Sequence, residues 1–156
     1  VNIPLEISSE EDVYKKEQPE QPITIVKNSG KRILLAEDNE LNAEIAMELL
    51  KEEGFLIDWV KDGQECFDKL EESDEGYYDL ILMDIQMPIL NGYNTAAKIR
   101  QMENQKKAAT PIVAMTANSF DEDIERTKKA GMNGFIAKPL DSEKMFTILK
   151  QNIEKN

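Results

Sequence analysis

Hydrophobic positions along this chain fall into two regimes that meet near residue 31. Beyond it, short apolar runs alternate with stretches of helical periodicity. RILLAE (32–37) lacks alternating polarity and predicts a strand covered on both faces. Asn39 can cap the next helix, whose stripe runs through Leu41, Ile45, Ala46, Leu49 and Leu50 and stops near Gly54. FLIDWV (55–60) is a more mixed strand, expected nearer a sheet edge, and 64–72 is a second helix. DLILMD (79–84) is the third and most apolar strand, followed by a helix over 92–103. PIVAMT (111–116) is strand four. A helix over 119–130 follows it, with a Ser-x-x-Glu cap at Ser119 and Glu122. GFIAK (134–138) is strand five, and Asp141 can cap a last helix striped by Met145, Phe146, Leu149 and Ile153. Five rounds of strand then helix, joined by short connections, predict parallel strands with right-handed crossovers in a three-layer α/β sandwich. Ligands of such sheets sit outside the carboxyl ends of the strands.

The first thirty residues follow the other regime. SSEEDVYKKEQPEQP (8–22) is charged, carries two prolines and has little to bury, so residues 1–30 read as linker or tail. ITIV (23–26) is read as part of that tail rather than as an extra strand.

Charge and composition narrow the function classes. The chain has 156 residues, enough for one domain of 31–156 behind the tail, and a net charge of −12. That balance disfavours nucleic acid and anionic membrane surfaces as partners. No apolar run reaches the length of a membrane span. The single cysteine, Cys66, falls in a helical pattern and is expected in the core. One thiol cannot form an internal disulfide, which fits a reducing, cytoplasmic setting. The chain opens on Val, as expected of a piece of something longer. It contains no histidine, which removes Ser-His triads, histidine metal sites and phosphohistidine chemistry from this chain.

The strand ends carry the candidate chemistry. Strand one ends in Glu37 and Asp38, strand three in Asp84, strand four in Thr116 and strand five in Lys138. Each alone has an ordinary explanation, as a helix-capping acid or a solvated lysine. Together, if strands one, three, four and five are neighbours, they share one rim. Three carboxylates held close need a cation. With oxygen ligands only, a hard ion such as Mg²⁺ suits them. A carboxylate can attack phosphorus to form an aspartyl phosphate, and phosphoryl transfer depends on positioning and charge neutralisation. Three acids, one Mg²⁺ and one lysine sum to zero. An acyl phosphate adds about one negative charge, which Lys138, the Thr116 hydroxyl and backbone amides after strand three are placed to take up.

LLAEDNELN, LILMDIQMPILNGY, PIVAMTA and GFIAKPL, in that order, resemble the receiver domain of two-component response regulators, most closely the receiver of hybrid histidine kinases. The resemblance covers roughly 31–156. It implies a flavodoxin-like (βα)5 fold with a five-stranded parallel sheet of order 2-1-3-4-5. It implies that Asp84 is the phosphoacceptor, that Glu37 and Asp38 hold Mg²⁺ with the Gln86 backbone carbonyl as a further ligand, and that Thr116 and Lys138 contact the phosphoryl group. Thr116 and Phe135 would be switch residues, Gln86 and Asn118 would tune hydrolysis, and Pro139 would follow Lys138 through a usually cis peptide. Glu37 stands where many members have Asp, one methylene further out, which favours contact with Mg²⁺ through water.

The resemblance also implies partners. The phosphoryl donor would be a histidine kinase domain or a histidine phosphotransfer protein, since this chain has no histidine. The receiver would catalyse its own phosphoryl transfer and slow dephosphorylation, within a parent histidine kinase. VNIPLEIS (1–8) is similar to the closing strand of histidine-kinase ATP-binding domains, which would make the tail a tether behind such a domain. Docking is expected on the first turns of helix one, with Leu41 and Ala46 as its exposed apolar patch and Ile45 and Leu49 in the core. Three other readings compete. A haloacid-dehalogenase-like phosphatase places a second acid two residues after its nucleophile, where this chain has Gln86. A flavin-binding electron carrier wants a hydroxyl- and glycine-rich loop where this chain has AEDNELN. A receiver-like module that has lost phosphorylation is opposed by the complete acid, threonine and lysine set.

Overall fold

A computed structural model describes residues 30–87, 89–117 and 121–154. The tail of 1–29, Pro88, Asn118 and the Ser119 cap lie outside the described residues. The chain runs β1 (Arg32–Ala36), α1 (Glu40–Glu52), β2 (Leu56–Val60), α2 (Gly63–Glu72), β3 (Leu80–Asp84), α3 (Gly92–Arg100), α4 (Gln105–Ala108), β4 (Ile112–Thr116), α5 (Asp121–Lys129), β5 (Gly134–Ala137) and α6 (Ser142–Glu154). The strands form one parallel sheet in the order β2-β1-β3-β4-β5. Strand order therefore reverses between β1 and β3, and the crevice at their carboxyl ends is where such a fold holds its ligand.

The continuous apolar runs are explained by two covered faces. Leu34, Ala36, Ile81, Met83, Ile112 and Ala114 pack on one side with Cys66, Leu70, Ala96 and Ile99. Ile33, Leu35, Leu80, Leu82, Val113 and Met115 pack on the other with Ala43, Ala46, Leu50, Met145 and Leu149. Every residue of β3 is buried, as is every residue of β4. A fully buried Leu or Ile contributes about 1.5–3 kcal/mol relative to exposure, so this double layer supplies the rigid frame for the rim. The mixed strand β2 lies at an edge, with Leu56 exposed.

Helix ends follow their capping residues. Asn39 Oδ1 accepts from the Asn42 amide at the start of α1, and Gly54 at φ 90° ends that helix in the left-handed region. Asp62, Asn91 and Asp141 serve α2, α3 and α6 in the same way. Two expectations need correction. The helix expected over 92–103 stops at Arg100, and the polar segment after it carries the short helix α4, because Asn104 Oδ1 accepts from the amides of Lys106 and Lys107 and starts a new turn. On α1, Ala46 is fully buried while Ile45 is 45% exposed and Leu41 64% exposed. The face meeting the sheet is Ala43, Ala46 and Leu50, whose small residues let the helix sit close; Leu41 and Ile45 turn away from it. The exposed apolar pair is thus Leu41 and Ile45, not Leu41 and Ala46. No helix among the described residues is long and apolar enough to cross a membrane.

Candidate functional site

The rim inferred from strand ends is a cavity of about 660 Å³ whose lining includes Glu37, Asp38, Asp84, Gln86, Thr116 and Lys138. Backbone ladders bring these residues together. The Glu37 amide donates to the Val60 carbonyl at 3.1 Å, and the Trp59 indole donates to the Glu37 carbonyl at 2.8 Å, so β2 fixes the end of β1. The Lys138 amide donates to the Thr116 carbonyl at 2.8 Å, which holds the residue after β5 beside the end of β4. The Ile85 amide donates to the Met115 carbonyl at 3.2 Å, continuing the β3–β4 ladder past Asp84. A Cβ at Gly92 would lie 2.6 Å from the Asp84 carbonyl oxygen, so only glycine lets α3 start this close to the end of β3. Ile89, in the same loop, is 81% exposed at φ 69°, an unfavourable conformation for a β-branched residue.

Charges at the centre are tightly coupled. Lys138 Nζ lies 3.3 Å from Asp84 Oδ1 and 3.3 Å from Glu37 Oε2. The Gln86 amide donates to Asp84 Oδ1 at 3.3 Å, and the Asn39 amide to Glu37 Oε1 at 3.1 Å. Glu37 and Asp84 are buried, and Asp38 is exposed to solvent. Burial pushes the Glu37 carboxyl up to about 7; neighbouring Asp84 adds to the rise, while the Asn39 amide and Lys138 oppose it. One oxygen from each of Glu37, Asp38 and Asp84 falls within 4.8 Å of the others. Three convergent carboxylates without sulfur or imidazole form a donor set suited to a hard divalent ion that keeps some of its waters. A cation there would offset both the burial of the Glu37 charge and its repulsion by Asp84.

Not every expected residue joins this cavity. Thr116 is buried and lines it; Phe135 is half-buried and lines a separate cavity of about 750 Å³ along β5 and α6. The Lys138–Pro139 peptide is cis. Cys66 is buried, and burial pushes its thiol up to about 12, as befits a core residue. Residues absent from the strand-end reading also line the cavity: Asn91 and Tyr93 from the start of α3, and Asp123 and Arg126 from α5. They come from helices that meet over the site only in three dimensions.

A family model for the response regulator receiver domain matches residues 33–150. Among curated relatives, hybrid signal transduction histidine kinase I of Dictyostelium discoideum is 36% identical over 78% of this chain. The osmosensing histidine protein kinase SLN1 of Saccharomyces cerevisiae is 40% identical over 77% of it. The chain spans only 7% and 10% of the length of those two proteins. Among solved structures, the receiver domain of a Pseudomonas aeruginosa sensor histidine kinase superposes with a TM-score of 0.72 at 36% identity, covering 81% of this chain and 99% of that one. That receiver holds a magnesium ion in its active-site cleft.

Proposed function

This chain belongs to the response regulator receiver domain family, and from that premise we propose that it takes a phosphoryl group from a phosphohistidine onto Asp84 in a magnesium-dependent transfer. The observation that carries this reading is the meeting of Asp84 with Lys138 and two further carboxylates at the switch point of the sheet.

Each residue has a physical task. Asp84 supplies the nucleophilic oxygen, and Lys138, already 3.3 Å from that carboxylate, holds positive charge where the phosphoryl oxygens arrive. The Thr116 hydroxyl, at the buried end of β4, offers a hydrogen bond to the same group. Glu37, Asp38, Asp84 and the Gln86 carbonyl would hold Mg²⁺, as the cleft of the Pseudomonas receiver holds magnesium. When bound, Mg²⁺ supplies charge neutralisation for the transferring phosphoryl group. Gln86 and Asn118 carry amides, not strong bases, so hydrolysis is slow enough to permit relay. Thr116 and Phe135 convey the phosphorylated state to α5 and β5. The parent protein is a hybrid histidine kinase, with residues 1–30 as its interdomain tether, and it works in the cytoplasm, where a reduced core cysteine is stable. Its donor or acceptor is a histidine on another domain or on a phosphotransfer protein.

Intact-mass measurement after incubation with acetyl phosphate and Mg²⁺ tests the assignment. One phosphoryl adduct is expected on the wild type and none on Asp84→Asn. An equal adduct on that variant overturns the role of Asp84.

A further inference from the structure

In the lining of the cavity, from Tyr93 on α3 to Arg126 on α5, runs a contact that the Asp84 chemistry above does not use. The Arg126 guanidinium carbon stands 4.2 Å from the centroid of the Tyr93 ring, and both residues line the cavity that holds Asp84 and Thr116. Other cation–π pairs among the described residues, such as Lys98 on Phe67 and Lys61 on Trp59, do not line it. Resting on the reading of Asp84 as phosphoacceptor, we propose that Arg126 is a steering residue of this site, presenting positive charge to incoming anionic phosphodonors, and that Tyr93 is the positioning residue that aims it.

Charge and geometry both favour that role. The cavity is lined by the carboxylates of Glu37, Asp38, Asp84 and Asp123 and by the cations Lys138 and Arg126. Lys138 is already committed to Glu37 and Asp84. With one divalent ion bound, four carboxylates and two cations reach neutrality. Without Arg126 the loaded site stays net negative and repels a phosphodonor, which is itself an anion. Arg126 is exposed, and a long exposed side chain explores many rotamers. Stacking on the half-buried Tyr93 ring restricts it. Tyr93 in turn follows Gly92, whose amide donates to the Ile85 carbonyl at 2.8 Å, so the ring is tied to the acceptor loop. The positive charge therefore keeps a set relation to Asp84 even though it sits on a different helix.

In the transfer, an Asp84 oxygen forms a bond to phosphorus as the bond from phosphorus to the acetate oxygen breaks, and acetate leaves with that electron pair. Arg126 acts before this step, on the encounter. The rate of adduct formation from limiting acetyl phosphate, at saturating Mg²⁺, is the readout, taken at low and at high NaCl. Arg126→Gln is expected to slow labelling about fivefold at low salt. That difference should collapse at high salt, where the screening length falls to about 3 Å. Arg126→Lys and Tyr93→Phe should keep most of the rate, because charge and ring are retained. Tyr93→Leu should lose about as much as Arg126→Gln. A wild-type rate for Arg126→Gln at low salt, or a loss of the same size at both salts, overturns the steering role while leaving Asp84 as acceptor. Absence of any adduct on the wild type would instead remove the acceptor reading and this one with it.

Discussion

Glu37 and Asp84 share one lysine, but at the scale of single residues it is the burial of Glu37 that governs how the site responds to pH. Glu37 keeps its proton up to about pH 7 in the fold, whereas an unperturbed carboxyl gives it up near 4.5. Between those values the folded chain binds the extra proton. Metal-free protein should therefore lose stability as pH rises from about 4.5 to about 7. Mg²⁺ needs the deprotonated carboxylate, so its binding should work the other way. Apparent Mg²⁺ affinity is expected to be at its plateau above about pH 7 and to fall toward tenfold per unit below it. Trp59, the only tryptophan, is hydrogen-bonded to the Glu37 carbonyl and gives a fluorescence signal for that titration. A flat affinity across this range would show that Glu37 is already ionised in the metal-free fold.

Single elements decide where a partner can dock. The amino-terminal end of α1 stands next to Glu37 and Asp38, and its side facing away from the sheet exposes Leu41 and Ile45. Ile45 also lines a small, mostly apolar hollow with Pro139 and Leu140, which joins α1 to the loop after β5. On the proposed role of Asp84, a donor helix would have to bring its imidazole to that carboxylate in line, and this apolar shoulder stands beside the end of β1 that carries Glu37 and Asp38. Leu41→Glu is expected to slow transfer from a phosphohistidine domain about tenfold while leaving acetyl phosphate labelling nearly unchanged. Ala46→Glu, by contrast, forces a carboxylate into the contact between α1 and the sheet. It should destabilise the fold by about 3 kcal/mol or more, seen as a lowered denaturation midpoint, and both reactions should fall together. Equal labelling and equal transfer in Leu41→Glu would move the docking surface elsewhere.

Across the whole molecule, order is unevenly distributed in a way that suits switching. Strands β3 and β4 are buried along their full length. Helix α5 is a charged segment, and within it Thr127 is buried at 4% exposure while Ile124 is only half-buried. Its carboxyl end is pinned by Arg100, which donates to the carbonyls of Gly131, Ala108 and Thr110 and to Asn133 Oδ1. Its middle is held to α3 by the Arg126–Tyr93 stack. Amide exchange should therefore be fastest in the first turns of α5, slower toward its pinned end and slowest in β3 and β4. Beryllofluoride with Mg²⁺, standing in for the phosphoryl group, should change protection in α5 and β5 more than in α1 or α2. Unchanged protection there would count against a conformational switch.

Much of this molecule was written in local pattern. The five apolar runs, the caps at Asn39 and Asp141, the edge character of β2 and the residues at the strand ends all follow from preferences that act over a few neighbouring positions. Parallel strands put their carboxyl ends on one side, so Glu37, Asp38, Asp84, Thr116 and Lys138 belong to one end of the sheet by sequence alone, and they share one rim because β1, β3, β4 and β5 are neighbours. Strand order itself came from family likeness, because hydrophobic alternation does not say which strands are neighbours. Which side of α1 meets the sheet was decided in three dimensions. Ala46 and Ile45 differ by one position, and close packing of the small residue overrode the hydrophobicity of the larger one. The approach of Arg126 to Tyr93, and of both to the cavity of Asp84, was likewise invisible, because the pair lie 33 positions apart in sequence and only the packing of α3 and α5 on one face of the sheet brings them together. Local chemistry set what the rim could do; tertiary packing set what surrounds it.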